Sequence, residues 1–314
     1  MTLILSEKDV SALLDMKEVI RCVEECFRKQ GEGAAVNSPR TRSTVQGSVL
    51  NVMHASLPYL GRAGMKCYLS TKRGIRFVFV LFDLADATPL AVMGADLLGR
   101  YRTGAASAVA TKHMLGTGEV KLAVYGSGKQ ALTQVTAMEE AIGLSEVRVW
   151  SPQRAHAKAL ADRLRGLGIA TSVAESPDDA GNGSDAGSAI TSSREPFLTP
   201  SSVRALSHLN LCGANVADRA EASPDAVAIF RTVAVDDLNQ AKVESGDLIM
   251  AAKEGVFDWG RAVELKSIVV GKVKAVRPTL FKSGGVAIED VALASVLYDA
   301  AVKRGTYASV ELGT

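Results

Sequence analysis

The sequence contains few cysteines and few aromatic residues, and neither sign of charge is in excess. Its 314 residues include 4 cysteines, 36 lysines and arginines, and 34 aspartates and glutamates, which gives a formal net charge of +2. Four scattered cysteines do not form a disulfide framework in a chain of this length, and they are typical of proteins from a reducing compartment. The nearly balanced charge gives no indication of a surface that binds nucleic acid or membranes.

Long apolar runs and clusters of metal-binding residues are also missing. No apolar run is long enough to span a bilayer, and charged residues interrupt the segment from Met1 to Leu14, so it lacks the basic-then-apolar order of a signal peptide. Cys22 and Cys26 lie one helical turn apart without a second pair of ligands nearby, and the four histidines are scattered. We therefore expect a cytoplasmic protein without a metal site and without a nucleic-acid or membrane partner.

The clearest motif is a glycine-rich turn between a predicted strand, Val120 to Tyr125, and a predicted helix. The turn has the G-x-G-x-x-A order of a dinucleotide-binding fingerprint. Gly126 suits the tight turn, Gly128 lets the backbone approach a pyrophosphate, and Ala131 lets the helix pack on the strand. Because the first N–H groups of the helix also attract phosphate, we expect a dinucleotide site that consists of Gly126, Ser127, Gly128, Lys129, Gln130 and Ala131.

The next predicted strand, Val147 to Trp150, is not followed by a carboxylate. An NAD site of this kind usually has an Asp or Glu there, which binds the ribose 2′-hydroxyl. This chain has Ser151 and Arg154 instead, and both could bind a 2′-phosphate. The sequence therefore favours NADP, with NAD as the alternative, although Arg154 could also be a solvated residue at the start of the next helix.

The arrangement of helix and strand patterns indicates an α/β fold. Residues 39–93 predict an antiparallel sheet of about four or five strands, and residues 95–114 predict a helix. From Val120 onward strands and helices alternate, which is typical of a Rossmann-type, doubly wound parallel sheet. A helix is predicted again from Ala287 to Lys303. The later strands are predicted at Ala170–Ala174, Ala189–Thr191, His208–Cys212 and Val227–Val235, with a weak helix and a loop over residues 176–188.

Several short segments together resemble the ornithine cyclodeaminase/mu-crystallin family. They are Arg40-Thr41, Lys66, Thr71 to Ile75, Arg102 to Ala106, Gly126 to Ala131, Gly246 to Leu248, Phe281 to Gly285, and Glu289-Asp290. The resemblance implies a homodimer with a discontinuous α+β substrate-binding and dimerisation domain, residues 1–118 and 286–314, and a dinucleotide-binding domain, residues 119–285. It also implies hydride exchange between a nicotinamide and the α-carbon of a small amino or imino acid.

The resemblance gives roles to three basic residues. Arg40 and Arg102 would bind the substrate carboxylate through charge-assisted hydrogen bonds. Lys66 matches the active-site lysine of the family, and two nearby arginines would lower its pKa, so that it could exchange a proton near neutral pH. The alternative for each of them is a solvated surface charge.

Two further residues are implied near the nicotinamide end of the cofactor. Thr103 follows Arg102 in the family pattern. Ser283 belongs to Phe281–Gly285, a predicted loop that would close over the nicotinamide, although a simple glycine turn before the last helix is the alternative.

Asn215 departs from the family pattern. Cyclodeaminases and the alanine dehydrogenase type have an aspartate here, which handles the amine proton or the attacking water. An amide can orient these groups but cannot act as a general base, and losing such a base costs roughly 10² to 10⁴ in rate. With Asn215 as the fourth candidate catalytic residue, we expect reduction of an imine or amino-acid dehydrogenation. Cyclodeamination of ornithine and a non-catalytic protein that binds NADPH and a small ligand are the alternatives.

Overall fold

The computed structural model describes residues 1–312 of the chain. Its α-helices are, in chain order, α1 (Glu7–Leu13), α2 (Met16–Gly31), α3 (Asp96–Met114), α4 (Ala131–Ile142), α5 (Arg154–Gly166), α6 (Pro177–Gly181), α7 (Pro200–Val203), α8 (Pro224–Ala228), α9 (Leu238–Glu244), α10 (Gly246–Lys253), α11 (Leu265–Val269) and α12 (Ala287–Arg304). Its strands are β1 (Thr2–Leu5), β2 (Val36–Val45), β3 (Ser48–Leu57), β4 (Arg62–Thr71), β5 (Gly74–Asp83), β6 (Pro89–Gly94), β7 (Val120–Tyr125), β8 (Leu144–Trp150), β9 (Thr171–Val173), β10 (Ala186–Ala189), β11 (His208–Leu211), β12 (Thr232–Val235), β13 (Ala262–Glu264), β14 (Thr279–Lys282) and β15 (Ser309–Val310).

Contacts between residues divide the chain into two compact units. The first unit consists of Met1–Arg102 together with the chain from Gly285 onward, and the second consists of Thr103–Gly284. The division falls inside α3, earlier than the boundary predicted after residue 118, because α3 packs closely on α4 from Gly104 onward. A Cβ on Gly104 would lie 2.4 Å from the carbonyl oxygen of Thr133. The predicted roles of the two domains stay predictions, and the last two residues of the range 286–314 lie outside the described residues.

The first unit is built on a seven-stranded sheet with the order β15-β1-β6-β5-β4-β3-β2. Strands β2 to β6 pair antiparallel in sequence, as predicted, while β1 joins β6 in parallel. One face of this sheet is covered by α12, which also packs on α2. The opposite face, which we call the outer face, carries four exposed apolar side chains at neighbouring positions of β3, β4 and β5. They are Leu50, Met65, Leu69 and Val78.

The first two helices begin at residues whose side chains cap them, Ser6 and Asp15. Ser6 Oγ accepts a hydrogen bond from the backbone N–H of Asp9, and the Asp9 carboxylate accepts one from the backbone N–H of Ser6, which completes a capping box. The side chain of Asp15 caps α2 by accepting from the backbone N–H of Glu18. These caps orient α2 so that its apolar face, which includes Phe27, is fully buried.

The second unit contains an eight-stranded sheet with the order β13-β12-β14-β11-β10-β7-β8-β9, in which every neighbouring pair is parallel. The predicted Rossmann-type, doubly wound parallel sheet is therefore confirmed. Because all strands run in the same direction, their carboxyl ends lie along one edge. In sheets of this kind ligands bind at that edge.

The predicted strand at Ala189–Thr191 overlaps β10 only at Ala189, since β10 spans Ala186–Ala189. The first three residues of β10 are small and fall in the segment that was predicted as a loop. Small residues are required there because a Cβ on Gly187 would lie 2.8 Å from Leu206 and 2.9 Å from Leu209. Dense packing of both faces, rather than β-propensity, forms this strand.

Two other predictions need correction. Residues Val227 and Ala228 belong to α8, so the predicted strand at Val227–Val235 is reduced to β12. The helix forms because Ser223 caps it and a proline occupies its first turn. The predicted loop Phe281–Gly285 begins within β14, which includes Phe281 and Lys282. Lys282 is fully buried in this strand, and its charge is paired with Asp247.

Within residues 1–312 no helix combines the length and the apolar character needed to cross a bilayer. In the same part of the chain, no three His, Cys, Asp or Glu side chains are grouped so that they could hold a metal ion.

Candidate active site

The three basic residues predicted as catalytic lie together inside the first unit. Lys66 is on the face of β4 that pairs with the buried residues Met53 and Phe79, so its side chain points away from the outer face. Arg102 is in α3, and Arg40 lies at an irregularity of β2. Their exposed fractions are only 2% for Lys66, 7% for Arg102 and 9% for Arg40. The alternative of a solvated surface charge is therefore wrong for all three.

Two carboxylates that sequence reasoning did not place in the site pair with these basic residues. Glu289 and Asp290 lie in the first turn of α12 and are fully buried. Asp290 Oδ1 lies 2.7 Å from Lys66 Nζ and 3.1 Å from Arg102 Nε. Glu289 Oε2 lies 2.8 Å from Arg102 Nη1. The available signal was a pair of adjacent acids at the start of an otherwise apolar helix, where the helix dipole also favours negative charge.

These five residues, Arg40, Lys66, Arg102, Glu289 and Asp290, form what we call the basic cluster. With all five ionised, the cluster holds three positive and two negative charges, so one positive charge is in excess. Excess charge in a buried site is costly unless a ligand neutralises it. Asp290 Oδ2 has no hydrogen-bond partner among the described residues. The cluster therefore suits a ligand that carries one carboxylate and an N–H donor.

The environment of Lys66 changes its acidity. Burial is the largest cause that lowers the pKa of Lys66, and the neighbouring Arg102 guanidinium adds to it, while the Asp290 carboxylate opposes both effects; the resulting pKa is about 8. A lysine with this pKa is present in both protonation states slightly above neutral pH. It can therefore give up a proton and take it back during a reaction.

The turn before α12 is shaped around the two arginines. The carbonyl oxygen of Gly285 accepts a hydrogen bond of 3.3 Å from Arg40 Nη2. Gly285 has a φ of +76°, and a Cβ on it would lie 2.3 Å from Arg102 Nη1. The side chain of Asn37 accepts from the backbone N–H of Ala287 and so caps the helix start. Only glycine allows Arg102 to lie this close to the backbone.

The predicted dinucleotide turn of the second unit has the shape that its sequence requires. Gly126 has a φ of +111°, and a Cβ on it would lie 2.8 Å from the carbonyl oxygen of Ile190. A Cβ on Gly128 would meet no other atom within 4 Å, so the backbone there is open to a ligand. Ala131 is buried at the start of α4, and the side chain of Gln130 does not cap that helix. The turn fits the pyrophosphate of a dinucleotide.

A cavity of about 370 Å³ lies beside this turn. It is lined by Gly126, Ser127 and Gly128, by the residues that follow β8, and by the chain from Ile190 to Ser193. Ser127 Oγ donates a hydrogen bond of 3.0 Å to Ser151 Oγ, which brings two predicted cofactor-binding residues together. Lys129 is exposed. The cavity thus joins the turn to the carboxyl end of β8, where the ribose of a dinucleotide would bind.

Arg154, predicted to bind a 2′-phosphate, is the first residue of α5 and forms an ion pair with Glu175. The two side chains are 64% and 72% exposed. Glu175 was not identified from the sequence, since it follows β9 rather than β8.

The predicted nicotinamide-side residues are both buried in the second unit. The backbone carbonyl of Thr103 accepts from the side chains of Ser107 and Gln134. Ser283 Oγ donates to Asp236 Oδ2, which also accepts a hydrogen bond of 2.8 Å from the backbone N–H of Gly284. Asp236 therefore fixes the turn that follows β14.

Asn215 is half-buried in the loop that follows β11. A buried charged group holds the two preceding residues: Lys282 Nζ donates to the carbonyl oxygen of Ala214 at 2.5 Å, and Glu221 accepts from the backbone N–H of Gly213 at 2.8 Å. Asp247 lies 2.8 Å from Lys282 Nζ. Burial by itself would lower the pKa of Lys282, but the carboxylates of Asp247 and Glu221 outweigh it and raise that pKa. Sequence reasoning did not assign these three residues to the site.

The chain is similar to one known family of proteins over nearly its whole length. A family model described as the ornithine cyclodeaminase/mu-crystallin family matches residues 1–305. An alanine dehydrogenase from Archaeoglobus fulgidus is 30% identical over 99% of this chain and 98% of its own length.

The fold is also similar to that of solved structures over nearly the whole chain. The Thermococcus litoralis Δ1-pyrroline-2-carboxylate reductase in complex with NADH and L-proline superposes with a TM-score of 0.92 at 31% identity, covering 98% of this chain and all of that one. An archaeal alanine dehydrogenase dimer with bound NAD gives a TM-score of 0.92 at 27% identity, covering 99% of each chain.

The first prediction concerns the packing of Arg102 on Gly285. In Gly285→Ala the new Cβ forces Arg102 away from Glu289 while the backbone keeps a left-handed φ, so we expect the free energy of unfolding to fall by about 2 to 4 kcal/mol. Gly305→Ala, at the other end of α12, is the control because its φ is +64° but no atom lies within 4 Å of its Cβ. It should lose only about 1 to 2 kcal/mol. Urea unfolding measures both, and equal losses would show that Arg102 does not press on Gly285.

Proposed function

This chain belongs to the ornithine cyclodeaminase/mu-crystallin family, and on that premise we propose that it reduces a small imino acid to the corresponding amino acid. Its reaction class is that of its relatives: it is an NAD(P)-dependent oxidoreductase that acts on amino or imino acids. When bound, the cofactor supplies hydride exchange with the α-carbon of the substrate. The observation that carries the proposal is the basic cluster, with one excess positive charge and a lysine of lowered pKa.

Different residues of the basic cluster would bind the substrate and transfer the proton. Arg40 and Arg102 provide the positive charge that a substrate carboxylate would neutralise. Asp290 Oδ2 would accept a hydrogen bond from the substrate nitrogen. Lys66 would supply the proton that imine reduction requires. Glu289 would act indirectly, by holding the Arg102 guanidinium in place.

Asn215 favours reduction over cyclodeamination. Release of ammonia from ornithine needs a group that takes a proton from the amine or from water, and an amide cannot do this. Reduction of an existing imine needs one proton, and Lys66 can provide it. The similarity to a Δ1-pyrroline-2-carboxylate reductase, whose named substrate is a cyclic imine, supports a substrate in which the imine is already formed.

We further propose NADP as the preferred cofactor, because Ser151 and Arg154 follow β8 where a carboxylate would favour NAD. The turn from Gly126 to Ala131 would hold the pyrophosphate. Thr103 and Ser283 would lie on the nicotinamide side. Four cysteines without disulfides support a cytoplasmic location.

The assembly that we propose is a homodimer formed through the outer face of the first unit. Its exposed apolar side chains are typical of an interface, and an alanine dehydrogenase of this fold is described as a dimer.

We expect light scattering to give twice the 33.0 kDa mass of the chain, and Leu69→Asp to reduce it to the monomer mass. Val243→Asp is the control, since Val243 is also exposed but lies in the second unit. A monomeric wild-type protein, or a dimeric Leu69→Asp variant, would contradict this assignment.

The reaction is tested by following the oxidation of NADPH and NADH with cyclic ketimines and with pyruvate plus ammonia. We expect oxidation that requires the imine substrate and that falls by about 10²-fold or more in Lys66→Ala. Lys72→Ala, an exposed lysine in the turn after β4, should retain full activity. Absence of oxidation with either cofactor would reject the reductase proposal and leave cyclodeamination or ligand binding to be tested.

The pH dependence tests the role of Lys66. Because protonated Lys66 is the proposed proton donor and its pKa is about 8, kcat/KM for imine reduction should fall above that pH. The Asp290 carboxylate raises this pKa, so Asp290→Asn should move the fall to lower pH, by about one unit. A fall that stays at the same pH in Asp290→Asn would show that another group controls the profile.

A further inference from the structure

The ion pair between Arg154 and Glu175 lies where two neighbouring strands end. Strand β9 pairs with β8 in parallel, with Val173 opposite Val149, and the backbone N–H of Ala174 donates to the carbonyl oxygen of Val149 at 2.9 Å. The chain therefore leaves both strands at the same corner of the sheet. Arg154 reaches this corner from the start of α5, and Glu175 reaches it from the end of β9.

The position of Glu175 is fixed by the residues that follow it. Its backbone N–H donates to the Asp179 carboxylate at 2.9 Å, and Ser176 Oγ accepts from the backbone N–H of Asp179 at 3.0 Å. These bonds tie the main chain of Glu175 to the first turn of α6, while its side chain extends into solvent towards Arg154. The main chain that carries this carboxylate is therefore fixed at the corner, and the side chain itself is exposed.

This corner is the place where the ribose 2′ group of a dinucleotide is recognised in the Rossmann-type fold. The cavity beside the glycine-rich turn extends to Ser151, Gln153 and His156, on either side of Arg154 in the sequence. No carboxylate follows β8 in the sequence, but Glu175 approaches the same corner from the neighbouring strand through its ion pair with Arg154.

The two cofactors make different demands on this ion pair. An exposed ion pair is weak, so Arg154 can exchange Glu175 for a phosphate, which a guanidinium can bind through two parallel hydrogen bonds. The 2′-phosphate of NADP must then displace Glu175 and bind next to its negative charge. The 2′-hydroxyl of NAD leaves the pair intact. We propose that Glu175 determines cofactor selectivity by competing with the 2′-phosphate of NADP for Arg154, an inference that rests on the proposed dinucleotide site.

Binding of two nucleotides that lack nicotinamide tests this without turnover. The probes are adenosine 2′,5′-bisphosphate, which carries the 2′-phosphate, and 5′-AMP, which does not. In Glu175→Gln we expect the bisphosphate to bind about three- to tenfold more tightly and 5′-AMP to bind no more tightly than before, as measured by isothermal titration calorimetry. Asp162→Asn is the control, because it removes one negative charge from the exposed surface of the same helix, α5. It should change neither affinity.

The double variant Arg154→Gln/Glu175→Gln separates competition from simple repulsion. If Glu175 acts through Arg154, its removal has no effect on bisphosphate binding once Arg154 is absent. The inference is overturned if the gain persists in that background, if both nucleotides gain equally, or if Glu175→Gln changes nothing.

The result is distinguishable from failure of the proposed reaction. Selective tightening of bisphosphate binding without imine reduction would keep the role of Glu175 and reject the reductase. Imine reduction with unchanged nucleotide binding in Glu175→Gln would keep the reductase proposal and reject the role of Glu175. If neither nucleotide binds the wild-type protein, the dinucleotide site and the role of Glu175 are both rejected.

Discussion

The ion pair between Lys66 and Asp290 is the interaction on which the first unit depends. It joins β4, inside the sheet, to the first turn of α12, and the two residues are 224 positions apart in the sequence. Neither charge could be buried without the other, because a lone buried charge costs several kcal/mol. Arg102 and Glu289 extend the pair into a cluster with one positive charge left over. That excess defines the chemistry of the site, because it makes a carboxylate the ligand that completes it.

The second unit also buries a lysine beside carboxylates, and there the charged groups hold loops in place. Lys282 lies in a central strand of the parallel sheet, where Asp247 forms an ion pair with it and the carboxylate of Glu221 lies nearby. Their remaining oxygens and the ammonium group hold the backbone of the loops at the carboxyl edge of the sheet, including the residues next to Asn215. Buried charge pairing thus leaves one positive charge in excess in the first unit and holds loops in place in the second.

The parts of the molecule that depend on local sequence could be predicted. The turn at Gly126 and the strand before it are encoded within a few residues, and Lys66 was recognised by its match to the active-site lysine of the family. The partners of Lys66 and Arg102 were not predictable in the same way, since pairing with Asp290 and Glu289 is decided by tertiary packing. Glu175 was missed because it comes from the strand after the one that carries the usual carboxylate.

Strand boundaries failed where packing overrides propensity. Gly187 lies in a strand because two leucines leave no room for a side chain, and no local pattern reports this. The loop predicted at Phe281–Gly285 begins inside β14, because Lys282 can be buried there beside carboxylates that are distant in the sequence.

The central claim is that the basic cluster binds a carboxylate by its charge. The most direct measurement compares the binding of pyrrole-2-carboxylate and pyrrole-2-carboxamide, which have the same ring and nearly the same shape, by isothermal titration calorimetry with NADPH present. The account predicts that the carboxylate binds about 30-fold more tightly or better, and that Arg40→Gln removes most of the difference. Equal affinity for the two compounds would contradict it.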